Sequence, residues 1–470
     1  MSSTREIRTA RRSGSPLSAP ARLSLAVALA LSGLSAGVQA QSLVDLYQAA
    51  KSYDAAYLSA KSQADSAQYK AAQAYAQRMP LVNLKGTLTR QHFDSSDNDA
   101  ARAAASQAGL SSTNYSITSK QLALQGRQSL YNRSISASIE QADQSLVAAE
   151  ADMKAAEDDL IVRLSQAYFD VLAAKDVLVT AQANKKALAE QLASAKRNFE
   201  VGNATITDTR EAQARHDLAT AQEIAAENDV KVKSIALDQL VGQQDVKPRP
   251  LMTPVALPAL VPSNAEDWVT LTPSSPAIRK AEVGLEFAKL ETKKARAEHL
   301  PTADLVASLS RNEVEGSGPV TVTATSGTTA SLGVEVNVPI FTGFATQNKI
   351  KETLSLQDKS ERDLDNAKRS VTLATRQAFF GVQSGMAQVK ALEAAEASAK
   401  LALEATQLGY RVGVRVNKDV LDAQTALSST QKDLYKARYD VIVATMKLRQ
   451  ASGSLKPEDL DNLNKLLSPQ

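Results

Sequence analysis

The chain contains no cysteine and only three histidines in 470 residues. Without cysteine there is no disulfide, no thiolate nucleophile, no cysteine-based metal site and no lipid-bearing cysteine at a processed N-terminus. His92, His216 and His299 lie far apart in sequence and show no ligand spacing. No Ser/His/Asp, metal or phosphate motif stands out, so no cofactor is expected and an enzyme is the least favoured reading. Long hydrophobic runs are also missing. The single apolar run of note, Leu23 to Leu34, is too short to span a bilayer as a helix. It follows Arg5, Arg8, Arg11, Arg12 and Arg22 and precedes Val38-Gln39-Ala40, a small-residue cleavage site. Residues 1–40 therefore read as a secretory signal, with Gln41 opening the exported chain. That segment holds five Arg and one Glu, so Lys+Arg falls from 54 to 49 and Asp+Glu from 51 to 50. The remaining chain is near −1, which leaves no nucleic-acid footprint.

What is present is a repeat. Phe199-Glu200-Val201-Gly202 leads to Thr207-Asp208, and 211 residues later Tyr410-Arg411-Val412-Gly413 leads to Lys418-Asp419. The offset extends through Ala212-Gln213 and Ala423-Gln424 to Gln239, Gly242 and Gln450, Gly453. The chain is a tandem duplication. The first unit spans 41–245 and the second 277–470, joined by a proline-rich connector over 246–276. Each reads helix, strand, loop, strand, long helix, turn, helix. Helices are expected over 43–79 and 277–299, ending at Pro80 and Pro301. The long ones fall at 132–201, 205–241, 345–411 and 416–452. Seventy residues give ~105 Å, and apolar spacings of 3, 4 and 7 from Ile135 to Leu178 suit coiled-coil packing.

The strands show period two. Val82, Leu84, Gly86 and Leu88 oppose Asn83, Lys85, Thr87 and Thr89; Leu122, Leu124 and Gly126 oppose Gln121, Gln125 and Arg127. Leu305, Ala307 and Leu309 oppose Val306, Ser308 and Ser310; Leu332, Val334, Val336 and Val338 oppose Ser331, Gly333, Glu335 and Asn337. The polar face suits either a soluble antiparallel sheet or the lumen of a membrane barrel. The segments Asp94 to Asn114 and Glu313 to Thr329 read as polar loops. Four strands cannot close a barrel, because the smallest have about eight. In a membrane the chain must therefore oligomerise, and three copies would supply 12 strands.

Two stretches carry a family resemblance: Val338-Pro339-Ile340-Phe341-Thr342-Gly343, and Gly409 through Gln424. The chain resembles the TolC family of bacterial outer-membrane channel-tunnels, and the archetypal branch rather than the lipidated one. The resemblance implies a mainly α fold with a β-barrel portion. A homotrimer would form a 12-stranded barrel in outer-membrane lipid, continuous with a helical barrel crossing the periplasm. It implies a passive export duct for proteins or small toxic compounds, served by a periplasmic adaptor and an inner-membrane pump of ABC or RND type. An adaptor or coiled-coil scaffold is the alternative, but an adaptor would carry one hairpin without preceding strand pairs.

At the tips, Asp419 and Asp422 share a helix face. Helix chemistry alone accounts for them, with Asn417 as the cap and acids in the first turn. The resemblance instead makes them two carboxylate rings at a pore constriction. It likewise makes Asp208, Tyr410 and Arg415 a gate network in which the first copy's Asp pairs with the second copy's Arg and Tyr. Phe199 and Ala204 replace Tyr and Arg in the first copy. Gly202 and Gly413 suit tight turns, and with Val201 and Val412 they match the family's adaptor-docking tips.

Overall fold

The computed structural model describes residues 42–93, 99–107, 115–252, 257, 259–317 and 324–468. The expected signal segment over 1–40, most of the expected 94–114 loop and the centre of the expected 313–329 loop lie outside the described residues. In chain order the elements are α1 (Leu43–Tyr53), α2 (Ala55–Ala76), β1 (Leu81–Phe93), α3 (Asp99–Gln107), β2 (Tyr115–Tyr131), α4 (Arg133–Glu200) and α5 (Ile206–Val241). They continue with α6 (Ala265–Val269), a 3-10 turn (Thr272–Ser274), α7 (Pro276–Ala297), β3 (Thr302–Ser317), β4 (Thr325–Asn337), α8 (Ala345–Arg411), α9 (Asn417–Ser452) and α10 (Asp459–Asn464). No helix among the described residues is long and apolar enough to cross a membrane.

The duplication is visible in the helix ends: 200, 206 and 241 in the first half become 411, 417 and 452 in the second, each displaced by 211. Two sequence expectations need correction. The helix over 43–79 is broken at Asp54, whose ψ of 117° is extended. The 94–114 and 313–329 segments are not wholly loop, because α3 occupies part of the first and β3 and β4 run into the second.

The four strands form one antiparallel sheet in the order β1-β2-β3-β4. Its register aligns the apolar positions. Leu84 pairs with Leu124, Leu124 with Leu309, Ala307 with Leu332 and Leu305 with Val334. Paired residues share a face, so the alternation in each strand adds up to one apolar surface. Leu84, Leu88, Leu332, Val334 and Val336 are all exposed on it. Charge ends the band: Leu88 pairs with Lys120, Lys120 with Glu313 and Leu122 with Arg311. Lys120 and Glu315 meet at 3.2 Å there. Below that line about nine residues of β3, at ~3.4 Å each and tilted, match the ~25 Å height of the apolar belt that a membrane β-barrel requires. The opposite face is polar. Arg127 Nη2 donates to Asp304 Oδ2 at 2.6 Å, and the Ser308 and Ser331 hydroxyls lie 2.8 Å apart. β1 and β4 each keep one edge unpaired within the chain.

Helices continue the sheet. α2 leads into β1, β2 into α4, α7 into β3 and β4 into α8. Lateral contacts run α2 to α4 to α7 to α8, the same order as the strands. The main apolar core lies partway down. There α1 (Leu43, Leu46, Tyr47) and the C-terminal segment (Leu460, Leu463, Leu467) pack on Leu160, Leu164, Tyr168 and Phe169 of α4, with Ile442 and Met446 of α9. The two ends of the chain are also tied directly, Leu43 N donating to Asn464 Oδ1 at 3.1 Å.

The Asp54 corner fixes α1 against α4. Asp54 accepts from Tyr57 N at 2.9 Å and caps α2, while Arg163 Nη1 and Nη2 reach its two oxygens at 3.1 and 2.9 Å. The Arg163 hydrogen bonds hold the Asp54 carboxyl below its ordinary value; partial burial opposes this and the Tyr57 amide assists. The sign follows from linkage. The corner's contribution is complete above the ordinary carboxyl value of 3.8 and is lost as pH falls through the depressed folded value. Arg163→Met is expected to cost about 1–3 kcal/mol near neutral pH. It should also flatten the acid limb of the stability profile, as read by denaturant unfolding across pH.

Gly453 ends α9 with φ 73°, and a Cβ there would lie 2.5 Å from the backbone N and Cα of Ser275. Gly413, with φ 78°, has nothing within 4 Å of an added Cβ. Gly413→Ala should cost only the left-handed penalty, about 1 kcal/mol. Gly453→Ala should cost roughly 3 kcal/mol or more, because a backbone must also move. Equal midpoints for the two variants in denaturant would contradict this account.

Candidate functional site

The hairpin tips use one turn design with different capping. α4 ends at Val201, whose amide bonds back to Arg197 O, and Gly202 turns the chain at φ 78°. α8 ends at Val412, bonded to Leu408 O, and Gly413 repeats the 78° φ. The positive φ is what requires glycine at both positions. Val201 and Val412 are exposed, as are Ile206, Val414 and Val416, so the tips present an apolar surface.

The next helices start differently. Thr205 caps α5: Asp208 N donates to its hydroxyl at 3.2 Å, and Asp208 Oδ2 accepts from Thr205 N at 3.0 Å and from its Oγ1 at 2.7 Å. This is a closed capping box. In the second copy the corresponding cap is Val416, which makes no side-chain bond. Asp419, at the position of Asp208, is therefore not drawn into a cap. It lies 3.6 Å from Arg415 Nη1 one turn before it. Both acids sit in the first turn of their helices, as expected, but only Asp208 takes part in a cap.

Asn417 is corrected too. It is the first residue of α9 rather than its cap, and it is buried. Its Oδ1 accepts from Gln191 Nε2 of α4 at 2.5 Å, and its Nδ2 donates to Asp208 O at 3.4 Å. It joins the hairpins. Leu421 does the same with apolar surface, fully buried among Leu188, Leu192, Ala195 and Ala212.

The expected gate trio is not assembled within one chain. Arg415 turns to Asp419, the Tyr410 hydroxyl accepts from Asn198 Nδ2 at 3.2 Å, and Asp208 caps its own helix. Asp419 and Asp422 are both partly exposed, but Asp422 is engaged by two cations. Arg215 Nη2 of α5 donates to its Oδ1 at 2.7 Å, and Lys418 Nζ bonds Oδ2. Lys418 chiefly, then Arg215, holds this carboxyl below its ordinary value. Sequence reasoning missed Arg215, Asn417 as a bridge, and Asn198. Their one signal was polarity on positions that face the other hairpin, and facing is a tertiary property. No group of three or more potential ligands suited to a metal occurs among the described residues.

The Asn417 geometry separates a bridge from a cap. Asn417→Asp and Asn417→Ser keep cap-competent side chains, but neither reproduces an amide that accepts from one partner and donates to the other. Both are expected to speed hydrogen exchange in the first turns of α9 by about tenfold, the equivalent of ~1.4 kcal/mol. Unchanged exchange in Asn417→Ser would restore the capping role.

Comparison with known proteins bears on these features together. The family described as Outer membrane efflux protein matches residues 46–243 and 270–454, one stretch over each half. The outer membrane protein TolC of Vibrio cholerae is 31% identical over 443 residues, covering 94% of this chain and 97% of that protein. The proteases secretion protein PrtF of Dickeya chrysanthemi is 29% identical over 450 residues, covering 93% of each. Among solved structures, the outer membrane protein VceC of Vibrio cholerae superposes with a TM-score of 0.72. At 18% identity, over 87% of this chain and 96% of that one, it shows the shared fold. The match across both repeats and the identity to full-length relatives establish that the chain belongs to the outer membrane efflux protein family.

Proposed function

We propose that three copies of the chain close into a single duct through which an inner-membrane pump, of ABC or RND type, expels its cargo. The observation that carries this is the sheet: a register-locked apolar face, a polar face and two unpaired edges. In hydrocarbon each unsatisfied backbone group costs several kcal/mol, so β1 of one copy must meet β4 of another. Twelve strands enclose a water-filled lumen lined by Lys85, Gln125, Arg127, Asp304 and Glu335. The two tandem units, 41–245 and 277–470 about the 246–276 connector, then supply alternate hairpins to a helical barrel in the periplasm.

The tips divide the remaining work. The exposed apolar turns at Val201-Gly202 and Val412-Gly413 offer the docking surface for a periplasmic adaptor. Asp419 and Asp422 line the constriction. Arg415 is exposed, and Asp208 spends Oδ2 on its cap but makes no bond at Oδ1 among the described residues. Arg415 of one copy therefore reaches Asp208 of the next, with Tyr410 beside it, and three such contacts hold the tips closed. PrtF is named for secretion of proteases. That supports protein export as one use of a duct whose own walls are generic. The adaptor reading is disfavoured by the strand pair before each hairpin.

The test is the oligomeric state. Native mass spectrometry of the detergent-solubilised protein should give a trimer that persists on dilution and in gel migration without heating. Monodisperse monomer with the strand content intact by circular dichroism would sink the proposal.

A further inference from the structure

The constriction acids are not equivalent. Asp419 has one cation nearby, Arg415 at 3.6 Å, and that arginine's side chain is 62% exposed. Asp422 has both oxygens bonded, Oδ1 to Arg215 at 2.7 Å and Oδ2 to Lys418. The two cations come from different hairpins: Lys418 is one turn earlier on α9, and Arg215 projects from α5. Glu211, also on α5, lies 4.0 Å from Arg215 and is its weaker partner. The cluster Arg215, Lys418, Asp422 and Glu211 sums to zero charge. Adjacent Leu421 is fully buried against the first hairpin, which keeps this edge of α9 against α5.

We propose that Arg215 is a specificity-determining residue: by occupying Asp422 it withdraws one of two acid rings from the pore and leaves Asp419 as the carboxylate that meets passing cations. This rests on the reading of α9 as pore-lining. An arginine–carboxylate bond fixes direction as well as charge, so an Asp422 oxygen aimed at α5 is not aimed at the axis. A channel with this arginine discriminates among cargo charges less than its two acids suggest. A neutral side chain at 215 would turn the same channel into a stronger cation trap.

The experiment uses the full-length protein in planar lipid bilayers, with lanthanum ion as a trivalent probe added from the side of the tips. Arg215→Gln should lower the half-blocking concentration about tenfold, because three freed carboxylate oxygens become ligands. In an Asp422→Asn background the same change should shift block less than about twofold, since the ligand it frees is gone. Arg215→Lys, which keeps the charge, should stay within about twofold of the parent and guards against a packing defect. An equal shift in both backgrounds would mean that Arg215 acts only through its general field, and the proposal falls. No shift in Arg215→Gln also overturns it. Asp419→Asn then tells which premise failed. If it weakens block, only the role of Arg215 is wrong; if it leaves block unchanged, the pore-lining reading of α9 fails as well.

Discussion

Hydrogen bonding of the backbone in lipid is the constraint on which the rest depends. A helix satisfies its own amides, but a strand cannot, and this chain sends only strands toward hydrocarbon. The sheet stops at four, with β1 and β4 each open on one side. Closure by other copies is then a physical necessity, since an open edge of many unpaired groups outweighs any packing gain the chain could find alone. The helices inherit the geometry. α2, α4, α7 and α8 each join one strand end and keep the strand order in their lateral contacts. A cylinder imposed on the sheet is thereby passed down to the helical part without a separate instruction.

Duplication supplies this architecture, and small departures from it make the two tips chemically different. Helix ends 211 residues apart show how closely the two copies agree in backbone. They part at single side chains. Thr205 against Val416 decides whether the acid three residues on is drawn into a cap or left uncapped beside an arginine. Ala204 against Arg415 gives one tip a cation. Neither exchange disturbs the turn, because the turn depends on Gly202 and Gly413 and on backbone bonds to the preceding helix. Separating the turn from its decoration lets the two tips differ in charge and capping with no change of backbone.

Most of the fold was legible in the sequence. The long helices lack proline and end at glycine turns, so their limits fell within a residue or two of the observed ones. Strand alternation identified the faces, and pairing register then showed that the faces align. What could not be read was the break at Asp54, where an aspartate in an alanine-rich run is stabilised by Arg163, 109 residues away. The site was legible only as a set of residue types. Asp419 and Asp422 look alike in sequence, one turn apart on one face. Only the approach of α5 to α9 shows that Arg215 bonds one of them and not the other. Asn417 misled for a related reason: an asparagine at a helix start is usually a cap, and burial between two hairpins overrode that local preference.

Core and tip are held together to different degrees. The large apolar cluster, with Leu160, Tyr168 and Phe169 fully buried, is about thirty residues from the end of α4, or ~45 Å along the helix. Near the turn the hairpins meet through the small apolar cluster around Leu421 and through polar bonds: Gln191 to Asn417, Asn198 to Tyr410, Arg215 to Asp422. The partly exposed ion pair of Arg215 with Asp422 contributes roughly 0–1 kcal/mol, and the bond of buried Asn417 somewhat more. Buried aliphatic surface is present at both levels, but the Leu421 cluster is far smaller than the main core, so the tip is the part that local opening separates first.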